Sequence, residues 1–353
     1  MSIYEDCVGR IVHADESVLS AARERLDSLT KPKGSLGMLE DCAARYAAAR
    51  GELFADVRNP AIVTFAGDHG VAAEGVSAFP SEVTVQMTAN MSNGGAAVNV
   101  LARHVGAVHR IVDVGIASDC AFPNVRKRHV ADGTRNFTQG PAMTRGEVLQ
   151  ALEVGMTEAF ELIDSGSTLL GTGEMGIANT TPSAALYSAF LHLPPEQTCG
   201  CGTGISAGTL QHKIGVVRRA LEVNSAALEE GPLSVLAALG GLEIAAIAGL
   251  ILGAASRKVP VVVDGIISGA GAVAARGIRE EVMDYCFFSH LSGDAGHAAA
   301  MKSLGVRPLL DLGMRLGEGT GAALAMTLIE ASVKILLEMA TFEEAAVIGD
   351  PLR

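Results

Sequence analysis

Short apolar runs alternate with glycine-bearing polar turns along most of this chain, and Ala- and Leu-rich stretches lie between them. The six runs are 61–65, 109–114, 167–170, 259–263, 285–288 and 308–312. Strand, turn and helix repeated in this order predict βαβ units and a parallel sheet. Right-handed crossovers place every turn at one edge of the sheet, where ligands bind. We therefore expect the polar residues of these turns to lie together.

The predicted fold class is α/β, a Rossmann-like open parallel sheet flanked by helices, because a closed (β/α)₈ barrel needs eight strands. Both ends of the chain show helical patterns without a strand. Near the C-terminus one helical face carries Leu324, Leu328, Ala331, Ile335 and Met339. These patterns predict a large α/β domain of residues 56–321 and a small helical domain formed by 1–55 and 322–353.

Composition narrows the class of protein. Hydrophobic residues make up 49% of the chain, with 41 Gly, 10 Phe, 4 Tyr and no Trp, which is typical of helices packed closely on a parallel sheet. The net charge of −12 argues against nucleic acid, which needs basic patches. An anionic small substrate stays compatible, because a few local cations and helix N-termini are enough to bind it.

The cysteines and the first residues predict the compartment. The 6 cysteines are scattered, unlike the dense disulfide pattern of small secreted domains. Cys199 and Cys201 form a C-x-C without a second pair, so they do not predict a zinc site. Glu5 and Asp6 interrupt the N-terminus, which shows no apolar signal region. We expect a cytoplasmic protein.

One apolar stretch, 233–256, is long enough for a membrane span. It contains Glu243, and an acid at a bilayer centre costs roughly 2.5–3.5 kcal/mol. The stretch is also rich in Ala and Gly and leads directly into a strand-like run. We interpret it as a buried helix and expect no stable membrane insertion.

Two glutamates stand among glycines. Glu318 lies in Gly317-Glu318-Gly319-Thr320-Gly321, and Glu174 lies in Gly171-Thr172-Gly173-Glu174-Met175-Gly176. Glycine allows the backbone to approach a ligand closely, so a substrate can reach these acids. Either acid alone is also explained by the preference of helix starts for negative charge. Both together favour a site that moves a proton on nitrogen or oxygen.

The 171–176 segment also matches the dinucleotide fingerprint GxGxxG, with Glu196 about twenty residues on. Glu174 argues against that interpretation, because its charge would repel a pyrophosphate in the same loop. The helix start at 177–182 suits a single phosphate instead. A second glycine loop, 200–204, is followed by Lys213. The two loops together suit one phosphate and a ring.

Several histidines and acids resemble a metal cluster without its spacing. The spacing of His290, Asp294 and His297 does not place both histidines on one helical face, and no further strong ligand is near. Asp68 and His69 form a similar pair. Turn chemistry and hydrogen bonding explain these residues, so we predict no catalytic metal, and the histidines are left without an assigned role.

Taken in order, the motifs resemble those of one family. They are KPKGSLG at 31–37, AGDHGV at 66–71, EVTVQM at 82–87, GEMGIANTT at 173–181, DG at 264–265 and LGMRLGEGTG at 312–321. The chain resembles the nicotinate-nucleotide–dimethylbenzimidazole phosphoribosyltransferases of cobalamin lower-ligand synthesis over nearly its whole length. The resemblance is weakest in the first two dozen residues and at 118–165.

The resemblance implies transfer of a phosphoribosyl group from nicotinate mononucleotide to 5,6-dimethylbenzimidazole, giving α-ribazole 5′-phosphate and nicotinate without a cofactor. It implies Glu318 as general base and Glu174 beside the reacting bases. The implied benzimidazole contacts are Gln86, Met175 and Leu316. The implied nucleotide contacts are Gly176, Ile177, Asn179, Thr180, Gly202, Gly204, Lys213, Ser292 and Arg315. It also implies a homodimer in which the small helical domain contributes to the neighbouring site.

Three alternatives stay open at this point. The same transfer could have another lower-ligand base, adenine or a phenolic base, as its acceptor, because the sequence does not show which base is preferred. A nicotinamide-dependent oxidoreductase would rest on the 171–176 match. A non-catalytic nucleotide-binding or membrane-associated protein would rest on 233–256.

Overall fold

The computed structural model describes residues 2–119, 121–202 and 204–348. Its strands are β1 Ala61–Gly67, β2 Val108–Gly115, β3 Val125–Lys127, β4 Leu170–Met175, β5 Val261–Val263 and β6 Cys286–Phe288. The first helices are α1 Ile3–Arg10, α2 Glu16–Ser28, α3 Met38–Arg50, α4 Glu82–Ser92, α5 Ala97–His104, α6 Arg145–Asp164 and α7 Thr180–Leu191. The others are α8 Pro195–Thr198, α9 Ala207–Val223, α10 Ser225–Glu229, α11 Pro232–Leu239, α12 Leu242–Ser256, α13 Ile266–Ile278, α14 Ala295–Leu304 and α15 Thr320–Glu338. Two 3₁₀ turns are Gly70–Glu74 and Glu280–Tyr285.

Within the described residues the strands form one 6-stranded parallel sheet in the order β3-β2-β1-β4-β5-β6. This is the doubly wound order, in which the direction of winding reverses between β1 and β4. Helices cover both faces, and every residue of β1 is buried. The predicted α/β fold with an open parallel sheet is therefore confirmed. The same topology places a crevice beyond the ends of β1 and β4, where ligands of such sheets bind.

Helices α6 and α12 pack with their backbones in contact. A Cβ atom on Gly155 would lie 1.9 Å from the carbonyl oxygen of Ala246, and one on Gly249 would lie 2.0 Å from that of Leu152. Only glycine permits this approach. The contact holds α12 against the sheet and so fixes the position of its first turn, which carries Glu243.

Two strand predictions are wrong in detail, and one strand was not predicted. The 308–312 run is not a strand of the sheet, since Leu310 forms only an isolated bridge with His290 before the chain turns towards the site. Strand β3 was not predicted, because Val125–Lys127 is a polar edge strand paired on one side only. Strand β4 begins where the predicted 167–170 run ends, and it contains the 171–175 glycine segment. The glycines stay in the strand because other atoms pack directly on them, side chains on Gly171 and the backbone of Glu318 on Gly173.

The apolar 233–256 stretch forms two buried helices, α11 and α12, separated by Gly240 and Gly241. Glu243 lies in the first turn of α12 and contacts His69. Over the parts of the chain described above, one helix, α15, is long and apolar enough to cross a membrane by length and composition. Of its most apolar window, 56% is buried inside the protein.

The helices at the two chain ends pack on different partners. Helices α2, α3 and α15 share a small apolar cluster of Ala22, Leu26, Leu29, Ala43, Ala44, Ala47 and Leu336. In contrast, α1 places Cys7 and Ile11 in the main core. The division into domains 56–321 and 1–55 with 322–353 stays a prediction, and residues 349–353 lie outside the described residues.

The buried face of α15 is not the face formed by Leu324, Leu328, Ala331, Ile335 and Met339. Those side chains are half-buried, and Ala331 is exposed. The buried face carries Ala322, Ala325, Met326, Ile329, Val333 and Leu336. The difference arises because α15 packs against β4, β5, α5 and α3 at once.

Candidate active site

Three buried carboxyl groups meet at the carboxyl edge of the sheet. Glu174 is near the end of β4, Asp264 follows β5, and Glu318 lies just before α15. Their exposed fractions are 5%, 2% and 4%. The sheet order brings β4 and β5 side by side, and α15 packs on both strands. The convergence expected for the turns of a parallel sheet is therefore present for these acids.

Glu318 has a left-handed backbone, with φ of 66°. Its neighbours Gly317 and Gly319 also have positive φ, 86° and 106°. A non-glycine residue in this region costs of order 1–3 kcal/mol and persists only where the surroundings enforce it. The carboxylate Oε2 of Glu318 accepts a hydrogen bond from the backbone N–H of Val98, at 3.4 Å, in the first turn of α5. The strained backbone therefore directs the carboxylate at a helix N-terminus.

Glycines allow the Glu318 loop and β4 to touch. A Cβ atom on Gly173 would lie 2.2 Å from the carbonyl oxygen of Glu318. One on Gly317 would lie 2.1 Å from Oε1 of Glu174. The backbone N–H of Glu318 donates to that same Oε1 at 3.4 Å. The two glycine motifs of the sequence therefore form one contact between the two glutamates.

The same geometry weakens the dinucleotide interpretation. The 171–175 part of the fingerprint is strand, not a turn between a strand and a helix. The phosphate-binding turn of that motif needs free backbone N–H groups at a helix start. In this chain the turn is shorter and begins at Gly176, after Glu174.

Asp264 holds the loop after Glu318. Its Oδ2 accepts from the N–H of Gly319 at 3.2 Å, and its Oδ1 accepts from the N–H of Ala322 at 2.9 Å. These contacts satisfy free donors at the start of α15. Asp264 stood in the DG motif at 264–265 but was not among the predicted site residues. Its position directly after an apolar run was the only sign of this role.

Burial shifts the pKa of all three acids upward. It raises the pKa of Glu174 to about 8, against the lowering effect of a hydrogen bond from the side-chain amide of Asn179. It raises the pKa of Asp264 to about 7, although backbone N–H donors oppose this. Burial also raises the pKa of Glu318, and the N–H of Val98 acts in the other direction. A base whose pKa is moved towards neutrality is suited to accept a proton in a reaction.

The other end of the site is cationic. Lys213 on α9 is 1% exposed, and its Nζ donates to Oγ1 of Thr180 at 2.7 Å. Thr180 is the first residue of α7, so a buried ammonium group lies at a helix N-terminus. Burial lowers the pKa of Lys213, and the nearby Cys199 and Asp294 oppose that shift. Both features attract an anion.

Loops around Lys213 are joined by hydrogen bonds. The N–H of Gly202 donates to Oδ2 of Asp294 at 2.8 Å, and Nη1 of Arg315 donates to the carbonyl of Gly202 at 3.1 Å. Ser292 Oγ accepts from the N–H of Asp294 at 3.3 Å. Thr203, within the predicted 200–204 loop, lies outside the described residues. Asp294, like Asp264, is a candidate site residue that was not predicted from the sequence, where turn hydrogen bonding was taken to explain it.

A cavity of about 90 Å³ lies between the two ends. The predicted site residues that line it are Glu174, Met175, Gly176, Ile177, Asn179, Thr180, Gly202, Lys213, Ser292, Arg315 and Leu316. Ligand pockets usually have roughly 300–1,000 Å³. The hydrogen bond between Arg315 and Gly202 joins two of the lining residues of this small cavity.

Three predicted residues lie outside that lining. Glu318 lies behind it and reaches it through Glu174. Gln86 is on the exposed side of α4, although Thr84 of the same helix accepts from the N–H of Ile177 at 3.1 Å. Gly204 is exposed and lies next to the guanidinium group of Arg315.

The histidines take part in hydrogen bonds within the fold. Nε2 of His69 lies 2.7 Å from Oε1 of Glu243, and Nδ1 of His297 accepts from the N–H of Ser292 at 3.0 Å. His290 Nδ1 lies 2.9 Å from Oγ of Ser289. Among the residues that the structure describes, no group of three or more His, Cys, Asp or Glu side chains is arranged to hold a metal ion.

Known proteins resemble this chain along its length. A family model described as phosphoribosyltransferase matches residues 11–347. The nicotinate-nucleotide–dimethylbenzimidazole phosphoribosyltransferase of Prosthecochloris aestuarii is 55% identical over 347 residues, 98% of each chain. The enzyme of the same name from Geobacter sulfurreducens is 52% identical over 348 residues, 98% of this chain and 99% of the relative.

A solved structure agrees with these relatives. The crystal structure of the enzyme of that name from Thermus thermophilus superposes with a TM-score of 0.89 at 45% identity, covering 95% of this chain and 100% of that chain. The resemblance predicted from the motifs is confirmed by these matches. The chain belongs to the nicotinate-nucleotide–dimethylbenzimidazole phosphoribosyltransferase family of pentosyltransferases.

Proposed function

We propose that this protein transfers the phosphoribosyl group of nicotinate mononucleotide to 5,6-dimethylbenzimidazole, giving α-ribazole 5′-phosphate and nicotinate. The observation that carries the proposal is the pair of buried acids, Glu318 and Glu174, in contact at the carboxyl edge of the sheet. Family membership supplies the reaction, and the pair supplies a proton acceptor of the required kind.

Glu318 is the general base in this proposal. One benzimidazole nitrogen uses its lone pair to form a bond to C1′ of the ribose. The C1′–N bond to nicotinate breaks, and its electron pair stays on the pyridine nitrogen. Positive charge develops on the benzimidazole, so its second nitrogen loses a proton to Glu318. Such a base contributes typically 10²–10⁴-fold to a rate.

Nicotinate leaves from a cationic pyridinium and needs no proton to depart. Attack from the face opposite nicotinate inverts C1′ from β to α. The remaining lowering of the barrier comes from holding the two substrates in line. The crevice between β1 and β4 is the part of the fold suited to that alignment.

Glu174 stays protonated around neutral pH in this proposal, since burial raises its pKa to about 8. A neutral Glu174 does not repel the Glu318 carboxylate or the carboxylate of nicotinate. It lies beside the reacting bases and is a positioning group for them. Met175 and Leu316 in the cavity wall, and Gln86 on α4, are the proposed benzimidazole contacts.

The phosphate is bound at the Lys213 end. The ammonium group of Lys213 and the N-terminus of α7 supply complementary charge. The proposed nucleotide contacts also include Gly176, Ile177, Asn179, Gly202, Gly204, Ser292 and Arg315. The homodimer and the cytoplasmic location implied by sequence stay predictions.

A mass-resolved assay tests the function. Purified protein is incubated with nicotinate mononucleotide and 5,6-dimethylbenzimidazole, and we expect a ribazole phosphate together with an equal amount of free nicotinate. Nucleotide binding without product would assign another acceptor base, with adenine and p-cresol tested next. The absence of both nucleotide binding and product would refute the proposal.

A further inference from the structure

The backbone of Glu318 is fixed by a side chain from the middle of the sheet. Thr64 on β1 is 0% exposed, and its Oγ1 lies 2.7 Å from the carbonyl oxygen of Glu318. A carbonyl only accepts, so the threonine hydroxyl donates its single proton there. This bond holds the peptide that follows a residue in the left-handed region.

A histidine completes the environment of that hydroxyl. Nε2 of His109 lies 2.9 Å from Oγ1 of Thr64. On its other side, Nδ1 of His109 lies 3.0 Å from the amide nitrogen Nδ2 of Asn99. The amide oxygen of Asn99 accepts from the N–H of Ala96 at 3.0 Å, which fixes the orientation of the amide group.

The donors and acceptors of these hydrogen bonds can be assigned in only one consistent way. The Asn99 amide nitrogen donates to Nδ1 of His109, so the imidazole carries its proton on Nε2 and donates to Thr64. Thr64 in turn donates to Glu318. The arrangement needs a neutral imidazole, and burial lowers the pKa of His109 to about 4.

The same helix turn holds the other end of Glu318. Val98, next to Asn99 in the first turn of α5, donates its backbone N–H to the Glu318 carboxylate. The carboxylate and the carbonyl of Glu318 are therefore tied to one structural unit, by Val98 directly and by Asn99 through His109 and Thr64.

We propose that His109, acting through Thr64, is a positioning residue that holds Glu318 in the backbone conformation its role as general base requires. The inference rests on the proposed function. His109 is not among the described residues that line the cavity at Glu174, and it borders a separate opening with Arg110 and Arg126. We place its effect on the base, because its hydrogen bonds lead through Thr64 to Glu318.

Isosteric variants test the chain of hydrogen bonds. In H109Q the side-chain amide can still donate a hydrogen bond from the position of Nε2 to Thr64. In H109N the shorter amide reaches only the position of Nδ1, so the donor to Thr64 is lost. T64S keeps the hydroxyl, whereas T64V removes it at nearly constant volume. We expect H109N and T64V to lower kcat by about 10- to 100-fold, as for small misplacements of catalytic groups. H109Q and T64S retain most of the wild-type kcat.

The split between kcat and KM separates positioning from loss of folding. KM for both substrates should stay within about twofold of wild type in all four variants, because interactions made in the transition state are lost while ground-state binding is kept. S332A serves as control, since it removes a hydroxyl of equal burial from the far part of α15. If T64V does not fold, the H109Q and H109N pair carries the test.

Wild-type kcat in H109N, or a fall shared equally by H109Q and H109N, would overturn the inference while the function stands. Wild-type protein that forms no ribazole phosphate would overturn the proposed function, and this inference with it.

Discussion

The two ends of the site are built differently. At the base end Glu318, Glu174 and Asp264 are almost completely buried, and backbone N–H groups contact all three. At the nucleotide end one buried cation, Lys213, lies among loops whose residues are partly exposed, such as Gly202 and Arg315. Hydrogen bonds from backbone N–H groups hold the acids at the base end. At the nucleotide end, hydrogen bonds that involve side chains connect the loops.

The difference matches the role that we propose for each end. A proton acceptor must stay within hydrogen-bond distance of a moving proton, so it gains from rigid backbone contacts. A phosphate needs charge and a way in, so its loops gain from bonds that can break and form again. In the proposed function, the fully buried end serves proton transfer and the more exposed end binds the phosphate.

Removing the base should have the largest effect. Glu318→Gln keeps the shape of the side chain but cannot accept the proton, so we expect kcat to fall by about 10²–10⁴-fold. Binding of nicotinate mononucleotide, measured by calorimetry, should survive. Glu338→Gln at the other end of α15 is the control. Near-normal turnover in Glu318→Gln would remove Glu318 from the role of base.

Removing the cation should weaken binding and leave chemistry largely intact. Lys213→Met is expected to raise the Kd for nicotinate mononucleotide by about 10- to 100-fold, because a hydrogen bond to a charged group is worth about 1.5–3 kcal/mol. Arg218→Met is the matched control on the same helix, where the exposed arginine is paired with Glu196. Equal Kd values for the two variants would contradict the assignment of the nucleotide end.

Adding a methyl group at Gly317, between the two glutamates, should perturb only the base end of the site. Gly317→Ala would place a Cβ 2.1 Å from Oε1 of Glu174 and also strain a φ of 86°. We expect a loss of unfolding free energy of about 1–3 kcal/mol and a reduced kcat. Gly313→Ala in the same loop has positive φ but nothing within 4 Å, so it should show the strain alone. Identical urea midpoints would contradict this distinction.

The last prediction concerns the pH dependence of stability and not the rate of the reaction. The folded pKa of Glu174, about 8, lies above its ordinary value of 4.5, so the folded state holds the proton more tightly. This carboxyl therefore contributes stability that is complete below about pH 4.5 and is lost as pH rises through about 8. Glu174→Gln should show a smaller fall in urea midpoint between pH 5 and pH 8. If the urea midpoint of the variant fell as much as that of the wild type, the assigned role of Glu174 in pH-dependent stability would be contradicted.

Sequence predicted the meeting of Glu174 and Glu318 because both glycine-rich turns were expected at one sheet edge, although the run before Glu318 is not a strand. It predicted the family because the motifs are specific. It did not predict Asp264 as part of the site, since an acid that accepts backbone N–H groups has no distinctive spacing. The roles of the individual site residues remain proposals.

The strand errors have local causes. At the sheet edge, Arg126 in β3 pairs with Glu158 and Glu161 on α6, so the strand lacks an apolar run. The 308–312 segment is apolar because Leu310 and its neighbours cover the end of β6, not because it joins the sheet. The central strand β4 was not recognised over its full length because it contains glycines, which are uncommon in strands. Gly173 is needed there because the backbone of Glu318 packs where a Cβ would stand.

The strand order has a consequence for how the chain folds. Central strand β1 pairs with β4, which begins more than a hundred residues later, and Glu174 meets Glu318 across 144 residues. Contacts of such long sequence separation form slowly, because loop closure must precede any gain from pairing. The contact between Glu174 and Glu318 therefore belongs to the long-range contacts that slow folding in chains of this topology.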